Sequence, residues 1–190
     1  MIVHERPGIY SSYDASAVVS GGTSARTVGV AARAVRGAVG AAVTMTGYAA
    51  CAAAFGEDAA GDPGMSSLVR LLFQNGAAAV VGVRVADEGT AADYRAAFDA
   101  LALAEEVRVV LCDSADLTVQ QAMRDMVVSA SDNRRERIAV AGGSGETAAE
   151  LVTRAAGLNS ERVVLVGPDA LDSGGNPLPA VFAAAALAGA

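Results

Sequence analysis

The second half of this chain alternates short apolar, β-branched runs with helical segments, and this alternation limits the fold more than any other feature. "AAAVVGVRV" (77–85) predicts a buried strand. A helix over 91–104 leads into a strand over 107–111, "VRVVL". A helix over 116–131 leads into a strand over 137–141, "RIAVA", and a helix over 146–156 into a strand over 162–166, "RVVLV". A last helix covers 179–189 and stops in mid-pattern. Strands separated by whole helices pair in parallel, because an antiparallel pair needs only a tight turn. The expected class is α/β, a mostly parallel sheet with helices on both faces.

The first half carries weaker signals of the same kind. "TVGVAAR" (27–33) is an alternating strand and "AAVTMT" (41–46) a second. "GYAACAAAFG" (47–56) is a short helix closed by Gly56, and "MSSLVRLLFQNG" (65–76) a longer one with Gly76 as its C-cap. Before residue 27 no periodicity holds: Pro7-Gly8 marks a turn or extended segment and "SGGTS" (20–24) a flexible joint. The chain therefore divides into an arm and linker, 1–26, and one α/β domain, 27–190.

Composition narrows the chemistry. The chain has 44 alanines and only 4% aromatics, so its core must bring elements close together instead of filling space with large side chains. Gly37–Phe55 runs 19 residues without a charge, but it is mostly Ala, Gly and Thr and is broken by Gly47. It reads as a buried strand, a turn and a helix, with no membrane insertion. All 14 basic residues are Arg and the net charge is −7, which leaves no footprint for a phosphate backbone and no expected nucleic-acid partner. Met1–Tyr10 has charges and a proline where a signal peptide has an apolar stretch. Cys51 and Cys112 read as two buried thiols, since with one histidine there is no zinc-ligand spacing.

Ligands of open α/β sheets bind beyond the carboxyl ends of the strands. Those ends hold Asp113, Asp116, Asp169, Asp172 and the loop Gly142-Gly143-Ser144-Gly145-Glu146. Paired acids can bind Mg²⁺, but Asp is also the common N-cap and turn residue, which Asp116 fits. The glycine loop offers an alternative function, a Rossmann-like nucleotide- or phosphate-binding enzyme using Gly142–Gly145. Against it, Ala148 stands where the third glycine of a dinucleotide fingerprint belongs, and a Walker A loop needs a lysine that the chain lacks. Ser144 sits in a near nucleophile elbow, yet the only histidine is His4, on the arm. "SDNRRER" (131–137) reads as a solvated helix end and loop. No catalytic residue, metal or cofactor is expected.

Four stretches in order resemble contractile phage tail sheath proteins: "ERPGIYSSYD" near the start, "SLVRLLFQNGAAAVVGVRV" (67–85), "RIAVAGGSGETAAELVTRAAGLNSERVVLVGPDA" (137–170) and "LPAVFAAAALAGA" (178–190). The resemblance implies the subtilisin-like middle domain of that family, without a catalytic triad, preceded by an extended arm. It implies a structural subunit, not an enzyme, that polymerises in rings or a helix around a tail tube and contracts to drive the tube through a target envelope. The implied partners are other sheath subunits, the tail tube protein, the baseplate and the tail terminator. The implied location is the virion tail sheath, after synthesis in the bacterial host cytoplasm. Pro7, Gly8, Ile9, Tyr10 and Tyr13 would form the subunit-interface arm. Two departures stand out. Many members insert a β-domain after the strand matching Val80–Val85, where "ADEGT" runs straight on. The family also continues into a C-terminal domain, so the chain is expected to be truncated at its C-terminus.

Overall fold

A computed structural model describes residues 27–59, 61–172 and 174–190. In chain order the elements are β1 (Thr27–Ala32), β2 (Ala42–Met45), α1 (Tyr48–Phe55), α2 (Met65–Gln74), β3 (Ala79–Arg84), α3 (Ala91–Leu103), β4 (Val109–Cys112), α4 (Leu117–Asp132), β5 (Ile138–Gly142), α5 (Ala148–Leu158), β6 (Val163–Val166), β7 (Ala170–Leu171), β8 (Pro177–Leu178) and α6 (Ala180–Gly189). Six strands form one sheet in the order β2-β3-β1-β4-β5-β6, parallel except for β2. The short β7–β8 ladder is separate.

The alternation along β1 shows how the layers form. Val28, Val30 and Ala32 point to one face, with α1, α2 and α6; Ala31 points to the other, with α3 and α4. All six residues of β1 are buried, because helices cover both faces of this central strand. In α2, Met65, Leu68, Val69 and Leu72 form the buried stripe that i, i+3, i+4, i+7 spacing requires. Burying a side chain such as Leu68 or Phe98 stabilises the fold by about 1.5–3 kcal/mol. The alanines do what composition demanded: α6 packs Ala180, Ala184 and Ala185 inward, and a Cβ on Gly189 would lie 2.6 Å from the Leu72 carbonyl oxygen.

Helix starts follow local chemistry. Thr90–Asp93 and Thr147–Glu150 form capping boxes at α3 and α5, and Asp116 caps α4 by accepting from the N–H groups of Thr118 (2.6 Å) and Val119 (3.3 Å). The start of α2 is served from a distance. Asp58 Oδ2 accepts from the Ser67 N–H at 2.9 Å and the Ser66 hydroxyl at 2.8 Å.

Two expectations change. The strand expected within 37–55 is β2, but it is an antiparallel edge with Ala42 and Thr44 exposed, not a buried strand. No helix among the described residues is long and apolar enough to cross a membrane. The 131–137 segment is not simply solvated: Ser131 and Arg137 are buried. Arg137 donates from Nη1 to the Leu101 carbonyl (2.9 Å) and from Nη2 to those of Ala102 (3.3 Å) and Ala104 (2.6 Å). It thereby closes the C-terminus of α3, where carbonyls lack intrahelical partners and the helix dipole favours a cation. Between β6 and α6, where the sequence analysis assigned no element, lie β7 and β8, each too short to carry a periodic signal.

Candidate functional site

At the carboxyl end of β4, Asp113 is enclosed between the end of β1 and α3. Its Oδ2 accepts from the Arg33 backbone N–H at 3.2 Å and Arg33 Nε at 3.1 Å, and its Oδ1 accepts from the Tyr94 hydroxyl. Burial pushes the Asp113 carboxyl above the usual carboxylate range, against the pull of the Tyr94 and Arg33 hydrogen bonds. Burial, then the neighbouring Asp113 charge, also raises the Tyr94 hydroxyl. Both carboxylate oxygens are engaged within the protein. The group ties β1, β4 and α3 together at the sheet's switch point and presents no free acid to a substrate.

The other candidate acids are also engaged. Asp116 is the α4 cap described above. Asp169 accepts from the Gly145 N–H at 2.8 Å through Oδ2 and from the Ala180 N–H at 3.0 Å through Oδ1, joining the glycine loop to the start of α6. Asp172 accepts from the N–H groups of Gly174 and Asn176, both at 2.8 Å, and shapes the β7–β8 turn. Among the described residues no three His, Cys, Asp or Glu side chains gather to hold a metal ion. Cys51 and Cys112 are buried free thiols, each pushed up to about 12, chiefly by burial.

The Gly142–Glu146 loop is packed, not open. A Cβ on Gly142 would lie 2.3 Å from the Val181 backbone nitrogen, so glycine here permits α6 to cross the strand end. Glu146 folds back until one carboxylate oxygen lies 2.2 Å from the Cβ position of Gly143. Arg154 Nε holds both its oxygens, at 2.8 and 2.9 Å. Arg154 Nη1 donates onward to the Ala115 carbonyl (2.7 Å) and to Gln120 Oε1 (3.1 Å), while Gln120 Nε2 donates to the Gly142 carbonyl (2.8 Å). A phosphate cradle needs free N–H groups and no competing anion. This loop already places the Asp169 and Glu146 carboxylates there, so its geometry gives the nucleotide-binding alternative no support. Ser144 is exposed, and the chain's only histidine, His4, lies outside the described residues.

What remains available is surface. Among the described residues β6 has no strand on its outer side, and its Val164, on the sheet face that carries α6, is exposed. An open groove of about 760 Å³ runs between α3 and α4, floored by Phe98 and Met126 and rimmed by Arg95, Asp99, Asp125 and Arg135. The expected arm residues Pro7, Gly8, Ile9, Tyr10 and Tyr13 lie outside the described residues. Sequence reasoning named Asp113 but missed Arg33 and Tyr94, and named Glu146 without Arg154. Arg33 and Asp113 are 80 residues apart, so no local spacing could pair them.

No known family profile matches the chain, and no curated protein matches it. Solved structures do. The chain is similar to the anti-feeding prophage helical sheath in its contracted state: TM-score 0.58 and 17% identity, over 96% of this chain and 52% of that one. It is similar to a chain of the anti-feeding prophage baseplate, with TM-score 0.56 and 20% identity over 98% of this chain and 52% of that one. A sheath tail protein from Desulfitobacterium hafniense matches with TM-score 0.62 and 11% identity, over 96% of this chain and 61% of that one. The chain thus has the fold found in these sheath and baseplate chains, and spans between about half and three fifths of their length.

Proposed function

We propose that this chain is the N-terminal and middle part of a contractile sheath subunit. Such a subunit polymerises with its own copies around a tail tube and contracts to drive the tube through a target cell envelope. The observation that carries this reading is the likeness, over nearly the whole chain, to a contracted prophage sheath and a bacterial sheath tail protein. The order of the four sequence stretches supports it independently, as do strand-end acids that are engaged in packing. The partners on this reading are other sheath subunits, the tube protein, a baseplate and a tail terminator, and the location is a virion-type tail. The role is structural and uses no cofactor.

The physical link between subunits on this reading is strand addition. An extended arm carrying Pro7, Gly8, Ile9, Tyr10 and Tyr13 donates backbone hydrogen bonds to an open sheet edge of a neighbour. Tyr10 and Tyr13 act as large amphipathic anchors, and Ser20-Gly21-Gly22 keeps subunits joined while their bodies rotate. Contraction then runs downhill from a metastable polymer without a nucleotide.

Electron microscopy of the full protein, alone and with its tube, tests the reading. Rings, tubes or sheath-like polymers are expected, and their absence under every condition counts against it. Deleting residues 1–20 is expected to leave the domain folded and abolish polymers; assembly at normal efficiency removes the arm role. A strong thermal shift with one nucleotide would instead favour an enzyme.

A further inference from the structure

The 19 residues Gly37–Phe55 carry neither charge nor proline, and β2 within them is an edge of the sheet. It pairs with β3 on one side and, among the described residues, has no strand on the other. Val43 and Met45 turn towards the face of α1 and α2, while Ala42 and Thr44 turn to the opposite face and are exposed. The N–H and C=O groups along the outer side of β2 meet no hydrogen-bond partner among the described residues. Such an edge pairs with a further strand unless a charge, a proline or a bulge blocks it. β6, at the other end of the sheet, is guarded: Arg162, ion-paired with Glu136, stands before it and Pro168 just after it. The charges around β2 are drawn elsewhere. Arg36 donates from Nη2 to the Ala52 and Ala53 carbonyls of α1, and Arg84 of β3 pairs with Asp87.

We propose that the outer edge of β2 pairs with the same edge of a second copy of this chain, joining two sheets across a two-fold axis. The chemistry of the edge selects the occupant. It offers a row of backbone donors and acceptors, which an extended strand satisfies. Two identical edges meet symmetrically with their strands antiparallel, so every contact is made twice. Because the segment is uncharged, this pairing sets no like charges opposite one another. It brings Ala42, Val43 and Thr44 of both copies together, side chains that are small or β-branched and suit a pleated surface. The ends fit as well. An antiparallel pair centred on β2 carries Val39 of one copy, 55% exposed, to about the level of Gly47 in the other. A Cβ on Gly47 would meet nothing within 4 Å, so there is room for that valine. The contact leaves the β6 edge free and does not depend on the sheath reading.

The test combines sedimentation velocity with backbone amide exchange on the full chain. A four-residue edge makes a weak contact, so the dilution series reaches about 1 mM. A dimer is expected, with exchange over Ala42–Met45 slowing as the dimer fills. Thr44→Lys changes an exposed side chain and sets two ammonium groups close across the axis. It is expected to weaken the dimer at least about tenfold and to abolish the slowing. Mixing Thr44→Lys with Thr44→Glu is expected to restore both, and no restoration counts against the proposal. A chain that stays monomeric, or a dimer that Thr44→Lys leaves unchanged, overturns it. So does exchange over Ala42–Met45 that is equally slow at every concentration, since the same chain then covers the edge. Matching far-UV circular dichroism excludes unfolding as the cause, and Ala42→Lys takes the place of Thr44→Lys if that variant does not fold.

Discussion

Arg33 and Asp113 meet at the end of the two central strands, and Arg33 contacts the same carboxylate oxygen twice, once with its backbone N–H and once with Nε. The carboxylate is fully enclosed while the arginine side chain is half exposed. Replacing Asp113 with Ala leaves the Tyr94 hydroxyl and the Arg33 N–H without their acceptor, and is expected to cost about 2–4 kcal/mol in urea unfolding. Asp113→Asn keeps an acceptor and sheds the buried charge, so it is expected to cost clearly less than Asp113→Ala. Equal losses for the two would show that the acceptor does not matter.

The same residue implies a pH dependence of known sign. Burial raises the folded-state value above the ordinary 3.8, so the folded state binds the proton more tightly than the unfolded chain. The stability from this linkage is complete below pH 3.8 and is lost as pH rises through the raised value. Asn does not titrate. The stability of the unaltered chain minus that of Asp113→Asn is therefore expected to shrink as pH rises from 3.8. Taking the difference cancels the exposed capping acids Asp93 and Glu150, whose values are lowered and whose effect runs the other way. A gap that widens with pH refutes the assignment.

Arg154 and Glu146 are both largely buried, and Arg154 also reaches the Ala115 carbonyl and Gln120. Arg154→Met is expected to lose about 2–4 kcal/mol, because it strands the Glu146 carboxylate and two acceptors. The double variant Arg154→Met, Glu146→Gln is expected to lose less in total than the sum of the two single changes, as a double-mutant cycle measures. Strict additivity would mean that the pair is not coupled.

Arg137 is buried without a carboxylate among its hydrogen-bond partners, and burial lowers its pKa. Arg137→Ala is expected to cost about 3–5 kcal/mol, from the cavity and from three uncapped carbonyls. Arg137→Lys should recover only a minor part, since one ammonium does not reproduce the guanidinium fork. Full recovery with Lys would show that charge, not geometry, closes α3. Chemical denaturation of both variants decides it.

Gly142→Ala places a methyl against the backbone of Val181, which cannot swing aside as a flexible side chain can. An expected loss of about 1–3 kcal/mol follows from overpacking, with α6 shifted from the sheet. An unchanged thermal midpoint would mean that the helix gives way freely.

How far the sequence reaches shows in particular elements. The strands at 107–111, 137–141 and 162–166 lie within two residues of β4, β5 and β6, and the helices between them begin at Thr and Asp caps visible locally. These are short-range properties: periodicity, caps and turns act over a few residues, so the α/β class and the order of elements were legible in the chain itself. Strand order was not. That β1 is central and β2 an exposed antiparallel edge depends on which surfaces the helices cover, a relation between segments far apart in sequence. For the same reason Arg33, Tyr94 and Asp113 looked like unrelated residues, and Arg137 like part of a solvated loop. Only tertiary packing removes water from such groups, and removing water turns a scattered set of charges into required partners.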